Sequence, residues 1–183
     1  MRAAWVLLPI LGSPVVHAPV MKTDALQRWK RPIDGGRTLR GRRLLGDNKT
    51  WRGAAMMTAG PLLATALLSR TSWWRAKVPA EVAGANPLVL GTLLGASVWV
   101  GELPNSFLKR QLGIAPGAQN RSAAGVAISV LDQFDFVLGV AVLVRPVWRP
   151  TAPDVAEMAG VVTLVHLPLN VAGKLLGVRS SWL

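Results

Sequence analysis

The chain contains no cysteine and only two histidines, His17 and His166. The absence of cysteine excludes disulfides, thiolate metal ligands and a cysteine nucleophile, and says little about compartment. Acidic side chains are scarce: nine Asp and Glu stand against 21 Lys and Arg, for a net charge of +12. No internal repeat, low-complexity tract or separate soluble domain interrupts the 183 residues. What remains is apolar, with 51% hydrophobic residues, 16% charged residues and a mean hydropathy of +0.36. Such a composition points to a membrane protein whose basic residues are concentrated in a few places.

Ten of the basic residues fall between Met21 and Arg52, beside three Asp. In a short loop flanked by apolar segments, this charge is a positive-inside signal and not a nucleic-acid-binding one. Five stretches approach the ~20 apolar residues that a helix needs to cross ~30 Å of hydrocarbon. They are Ala3 to Val20, Gly53 to Ser69, Asn86 to Phe107, Ala123 to Val144 and Val155 to Gly177. The first holds Pro9, Pro14, Pro19 and His17, so a broken helix or a signal peptide competes with a span. Cleavage after Ala18 would leave the basic loop outside, which the charge distribution disfavours.

With five spans and the N-terminus outside, fifteen basic residues lie on the inner side, Lys109, Arg110, Arg121, Lys174 and Arg179 joining the first ten. Six lie outside: Arg2, Arg70, Arg75, Lys77, Arg145 and Arg149. Trp73, Trp74 and Trp148 fall at outer ends, where interfacial aromatics collect. The expectation is an all-α integral membrane protein with about five transmembrane helices and a cytoplasmic C-terminus. Residues 1–183 would form one polytopic domain in the cell membrane, with a cytoplasmic basic loop at 21–52 carrying turn signals at Pro32-Ile33-Asp34-Gly35-Gly36 and Gly46-Asp47-Asn48.

Polar residues interrupt three of the spans. On the third, Glu102, Asn105, Ser106 and Lys109 are spaced to share one helix face near the cytoplasmic end, with Pro104 able to kink it. On the fourth, Asp132 and Asp135 stand three apart, so they too would share a face. A charge at the centre of a membrane helix costs roughly 2.5 to 3.5 kcal/mol, so two of them demand compensation. On the fifth, His166, Asn170 and Lys174 repeat every fourth residue beside Pro168. Together they outline a hydrophilic cavity open to the cytoplasm.

Each feature has a plainer explanation. The aspartates could form a structural ion pair with Lys109 or Lys174, Lys109 and Arg110 could be positive-inside anchors, and Asn170 could be interhelical glue. His166 could be an interior hydrogen-bonded histidine. The string Gly46-Asp47-Asn48-Lys49-Thr50 invites comparison with a phosphate loop but is two residues out of register and follows no strand. Taken together, cations suited to phosphates and carboxylates suited to their metal imply a phosphate-bearing ligand at the inner membrane surface.

Ser106-Phe107-Leu108-Lys109-Arg110, followed by Leu131-Asp132-Gln133-Phe134-Asp135, resembles the signature of CTP-dependent phosphatidate cytidylyltransferases, with Gln133 where the bacterial enzymes usually have Arg. Over nearly its full length the chain more closely resembles the CDP-archaeol synthase family. The similarity runs through Pro32-Ile33-Asp34-Gly35-Gly36, Lys49-Thr50-Trp51-Arg52-Gly53, Gly101-Glu102-Leu103, Asp132-Gln133-Phe134-Asp135 and a final span with His166 and Asn170.

The resemblance implies transfer of CMP from CTP to a lipid phosphate, with release of pyrophosphate and a requirement for Mg2+. It implies Asp132 and Asp135 as metal ligands, joined by Glu102, which stands where the family has Asp. It implies Lys109 and Arg110 on the CTP phosphates, and Lys49, Thr50 and Arg52 on those or on the lipid phosphate. Ser106 would hydrogen-bond at the phosphates and not act as a nucleophile, while His166 and Asn170 would help to bind substrate. CTP, a lipid phosphate and the membrane are the implied partners, with a homodimer as a further expectation and no nucleic acid. A cation-coupled transporter and a non-catalytic anionic-lipid-binding protein are the competing classes; neither accounts for both the paired aspartates and the basic loop.

Overall fold

The computed structural model describes residues 1–115, 132 and 134–175, with side chains through Val165. The expectations for Arg121, for Gln133, for the first part of the fourth span and for Arg179 lie outside the described residues. So do the side chains of His166, Asn170 and Lys174.

The described chain is mostly helical. Ala4–Leu11 winds as a 3₁₀ helix and runs directly into α1 (Gly12–Lys22), so the prolines accompany a change of winding and not a break. Thr50 starts α2 (Trp51–Leu68): its backbone is extended and its hydroxyl accepts the Gly53 amide at 3.1 Å. Thr71 similarly caps the short α3 (Ser72–Arg75), and α4 (Ala80–Ala83) follows. Asn86 caps α5 (Pro87–Gln111), accepting the Leu88 amide at 2.9 Å, with Pro87 at the first helical position. Lys109 and Arg110 occupy the last turn of α5, where carbonyl dipoles favour cations. After α6 (Asp135–Leu143), a reciprocal Thr151 and Asp154 cap opens α7 (Ala152–Leu175).

Between α1 and α2 the basic loop contains an unexpected hairpin. β1 (Thr38–Leu39) pairs antiparallel with β2 (Arg42–Arg43), Thr38 opposite Arg43. Arg40 and Gly41 turn it with φ of 50° and 77°, the left-handed pair that a two-residue hairpin requires.

The centre of the bundle is α5, with α2 on one side and α6 on the other, and α1 packs on α2. Small residues permit this. A Cβ on Gly95 would meet the Thr58 Cα at 2.5 Å, and one on Gly139 would overlap the Ser97 carbonyl oxygen. Gly101 lies equally close to the carbonyl of Asp135. Away from the loop, Val6, Trp74, Val82, Leu90, Leu94, Val140 and Met158 form the apolar core. Of the tryptophans expected at the outer interface, only Trp73 is exposed (49%); Trp74 (1%) and Trp148 (7%) are core residues. The Trp74 indole donates to the Trp5 carbonyl at 3.1 Å, satisfying its one donor. Two described helical segments, Ala4–Lys22 and Pro87–Gln111, are long and apolar enough to cross a membrane.

Candidate active site

The C-terminal end of α5 presents one polar face, built by helical spacing from Glu102, Asn105, Ser106 and Lys109. Asn105 and Ser106 are buried. The loop contributes Lys49, whose ammonium pairs with the Glu102 carboxylate. From the other side Asp132 accepts hydrogen bonds from both the Lys109 ammonium and the Asn105 amide. Asp135 is buried at the first turn of α6, where the amide dipoles favour a carboxylate. Asn105 and Asp135 line the same cavity between α5 and α6.

One expectation is corrected by the backbone. Asp132 and Asp135 do not share a face of one helix, because among the described residues α6 begins at Asp135 and Asp132 lies in the preceding turn. From that turn Asp132 meets Lys109 and Asn105, while Asp135 lies buried against α5.

The loop is closed at its base and organised from within. Pro32 and Thr50 form an isolated antiparallel bridge, with the Ile33 amide donating to the Lys49 carbonyl at 2.8 Å and the Trp51 amide to the Arg31 carbonyl at 3.1 Å. Asp34 sits at the centre. One carboxylate oxygen accepts the Gly36 amide at 3.0 Å and the Arg43 guanidinium at 2.9 Å; the other accepts the Leu45 amide at 2.9 Å and the Gly46 amide at 3.3 Å. Burial works against the Asp34 charge, but these amides and Arg43 outweigh it and hold the carboxyl down at about 2. Arg43 also reaches Asp47 at 2.7 Å, and β2 is tied to the end of α5 through the Arg43 carbonyl and Gln111 at 3.2 Å.

Two predicted phosphate ligands point elsewhere. Arg52 is buried beneath the loop, donating to the Asp24 carboxylate at 2.7 Å and the Ala25 carbonyl at 3.1 Å. The Arg52 guanidinium holds the Asp24 carboxyl below the usual carboxylate range. Arg110, one position from Lys109 and therefore ~100° around the helix, donates to the Ile114 carbonyl just beyond the end of α5. Thr50 lies beside Lys49 as the cap of α2. Asp34, which spacing did not single out, was detectable as the Asp of an Asp-Gly-Gly turn, a residue type that caps amides two positions on.

Among the described residues, no three acidic or histidine side chains converge into a cage for a metal ion. One or two of Glu102, Asp132 and Asp135 would suffice for Mg2+ that arrives with phosphates. That ion takes one or two carboxylates, and phosphate oxygens and water complete its shell. Hard oxygen donors beside two ammonium groups are the complement of a metal-bound polyphosphate.

A solved structure of an intramembrane enzyme for archaeal membrane lipid biosynthesis is similar to this chain. The two are 31% identical and match over 92% of each, with a TM-score of 0.63. A polar cluster at one end of a helical bundle of this fold defines an intramembrane enzyme. The model of the CarS-like CDP-archaeol synthase family matches residues 4–183. CDP-archaeol synthase of Halobacterium salinarum is 36% identical, covering 98% of this chain and 94% of the relative. That of Aeropyrum pernix is 35% identical over 96% and 93%. The chain belongs to the CDP-archaeol synthase family and is a CTP-dependent transferase of membrane lipid biosynthesis. Neither a transporter nor a passive lipid binder is favoured by these relatives.

Proposed function

We propose that the chain transfers CMP from CTP to a lipid phosphate, with an archaeol-type ether lipid phosphate as acceptor, forming a CDP-lipid and pyrophosphate. The observation that carries this reading is the meeting of Lys49 and Lys109 with Glu102 and Asp132 beside the buried Asp135. The names of the relatives support the acceptor class. An oxygen of the lipid phosphomonoester attacks the α-phosphorus of CTP, and the bond from that phosphorus to the oxygen bridging the β-phosphate breaks. The bond's electron pair leaves with pyrophosphate. Because the nucleophile is already anionic at neutral pH, no strong general base is required, in keeping with a chain that has two histidines and no cysteine.

Catalysis then rests on orientation and charge neutralisation. Lys49 and Lys109 hold phosphates, Ser106 hydrogen-bonds to them, and His166 and Asn170 on α7 help to bind substrate. Arg52 and Arg110 support the site from behind. Glu102, Asp132 and Asp135 would hold Mg2+, which when bound neutralises charge on the triphosphate and its leaving group. The basic loop and C-terminus face the cytoplasm in a five-span arrangement within the cell membrane, a reading supported by the fifteen-to-six distribution of basic residues.

The test is to incubate purified protein with Mg2+, CTP labelled in its α-phosphate and a panel of ether and ester lipid phosphates. Label is expected in the organic phase, most with the archaeol-type acceptor, and none with Asp135→Asn that remains folded in detergent. Absence of transfer by folded wild-type protein, or full activity in Asp135→Asn, would overturn the reading.

A further inference from the structure

We infer that Asp34 is a positioning residue for Lys49, acting through Gly46 and the closed base of the loop. The inference rests on the proposed role of Lys49 at the phosphates.

The Asp34 side chain is 1% exposed and accepts four hydrogen bonds, which uses both lone-pair directions on each carboxylate oxygen. No acceptor capacity is left for a metal or a substrate proton, so direct participation in the chemistry is excluded. Its reach is through the backbone. Gly46 donates its amide to Asp34 and accepts the Lys49 amide on its carbonyl at 3.2 Å. Ile33, which precedes Asp34, donates to the Lys49 carbonyl at 2.8 Å. Lys49 is therefore gripped at both its amide and its carbonyl by residues adjacent or bonded to Asp34. From that position its ammonium meets Glu102 on α5.

The hairpin, the Pro32–Thr50 bridge and the Gln111 tie hold the ends and one side of the loop, and the Asp34 carboxylate is what joins the 35–36 turn to Arg43 and to the 45–46 turn. Gly35, Gly36, Gly41 and Gly46 all have positive φ, conformations that glycine adopts without steric cost but also leaves readily. Arg37, Arg40, Arg42, Arg43 and Lys49 repel one another across it, against two acidic residues, Asp34 and Asp47. Of those two, only Asp34 is buried. Replacing its carboxylate by an amide of the same size removes the charge and sets an NH2 against one of the two donor pairs, Gly36 with Arg43 or Leu45 with Gly46, so the tie between them is broken.

The experiment uses the full chain in detergent and an amine-reactive acetylating reagent, with modification of Lys49 followed by mass spectrometry. Asp34→Asn is expected to raise the labelling rate of Lys49 about tenfold, towards that of Glu102→Gln, the change expected for loss of a charged hydrogen bond. Lys77, at the opposite end of the bundle, should label unchanged. In the CMP-transfer assay Asp34→Asn should raise KM for CTP with the lipid-phosphate KM unaltered, and Asp34→Asn with Lys49→Met should be no worse than Lys49→Met alone. Unchanged Lys49 labelling, or losses that multiply in the double variant, would overturn the assignment. Should Asp34→Asn fail to fold, Arg43→Gln removes one of the four donors from a side chain 30% exposed, and the same readouts decide. Labelling requires no substrate, so an absence of CMP transfer in the wild type would sink the proposed reaction and leave this result standing.

Discussion

Lys49 and Glu102 form an ion pair across 53 positions of sequence, joining the loop to α5. A second pair, Lys109 with Asp132, lies on the same face. On the proposed function, each cation meant for phosphate is neutralised by a carboxylate meant for the accompanying metal. Both pairs must then open for a metal-bound triphosphate to enter, and each partner passes directly to a ligand of opposite sign. The site keeps its charge balance in both states, which limits the cost of holding ionised groups next to a bilayer.

Arg52 is 3% exposed at its side chain and spans from α2 to the turn after α1. Arg52→Leu should destabilise the ligand-free protein by about 2 kcal/mol, the scale for a lost charged hydrogen bond with a carbonyl left unpaired. At this chain length that lowers Tm by roughly 4 to 8 °C. The check is a thermal melt in detergent without CTP. An unchanged Tm with impaired CTP binding would make Arg52 a direct phosphate ligand instead.

Asp34 makes the loop sensitive to acid. Its folded carboxyl is held at about 2, below the ordinary value of 3.8 in the unfolded chain. A depressed carboxylate contributes stability that is complete above the unfolded value and is lost as pH falls through the folded one, here between about pH 4 and pH 2. The shift corresponds to about 2 kcal/mol. Fluorescence of Trp51, beside Lys49, should report loop opening in that window, and Asp34→Asn should abolish the transition. A transition that persists in the variant would assign it to another carboxylate.

Gly139 tests the crossing that brings Asp135 to α5. A Cβ there would overlap the Ser97 carbonyl oxygen, so Gly139→Ala should cost about 1 to 3 kcal/mol as the helices move apart. Gly160→Ala on α7, where a Cβ meets nothing within 4 Å, should be neutral or slightly stabilising. Paired thermal melts check the difference, and equal effects would refute the close crossing.

The polar face of α5 was legible from sequence because helical periodicity alone puts Glu102, Asn105, Ser106 and Lys109 on one side. Arg52 and Arg110 were not, because residue type reveals a charge but not the direction it takes. One turns under the loop to Asp24 and the other reaches forward to the segment that follows its own helix. The Lys49 and Glu102 contact depends on how a long loop folds over the bundle, which no local pattern encodes. Asp132 departed from the expected helix because α6 starts three residues later, a boundary that no proline or glycine marks between Asp132 and Asp135.

The 3₁₀ winding of Ala4–Leu11 gives the first segment an economy of length. Eight residues rising about 2.0 Å each and eleven rising about 1.5 Å extend to roughly 32 Å, against about 28 Å if all nineteen were α-helical. The extra length brings the segment to about the ~30 Å thickness of a hydrocarbon core. Threefold winding also eclipses every third side chain, so Val6 and Pro9 stack in one row with Leu7 in the next. All three are buried. The segment thus becomes a longer rod, seated in the core by two adjacent rows of side chains.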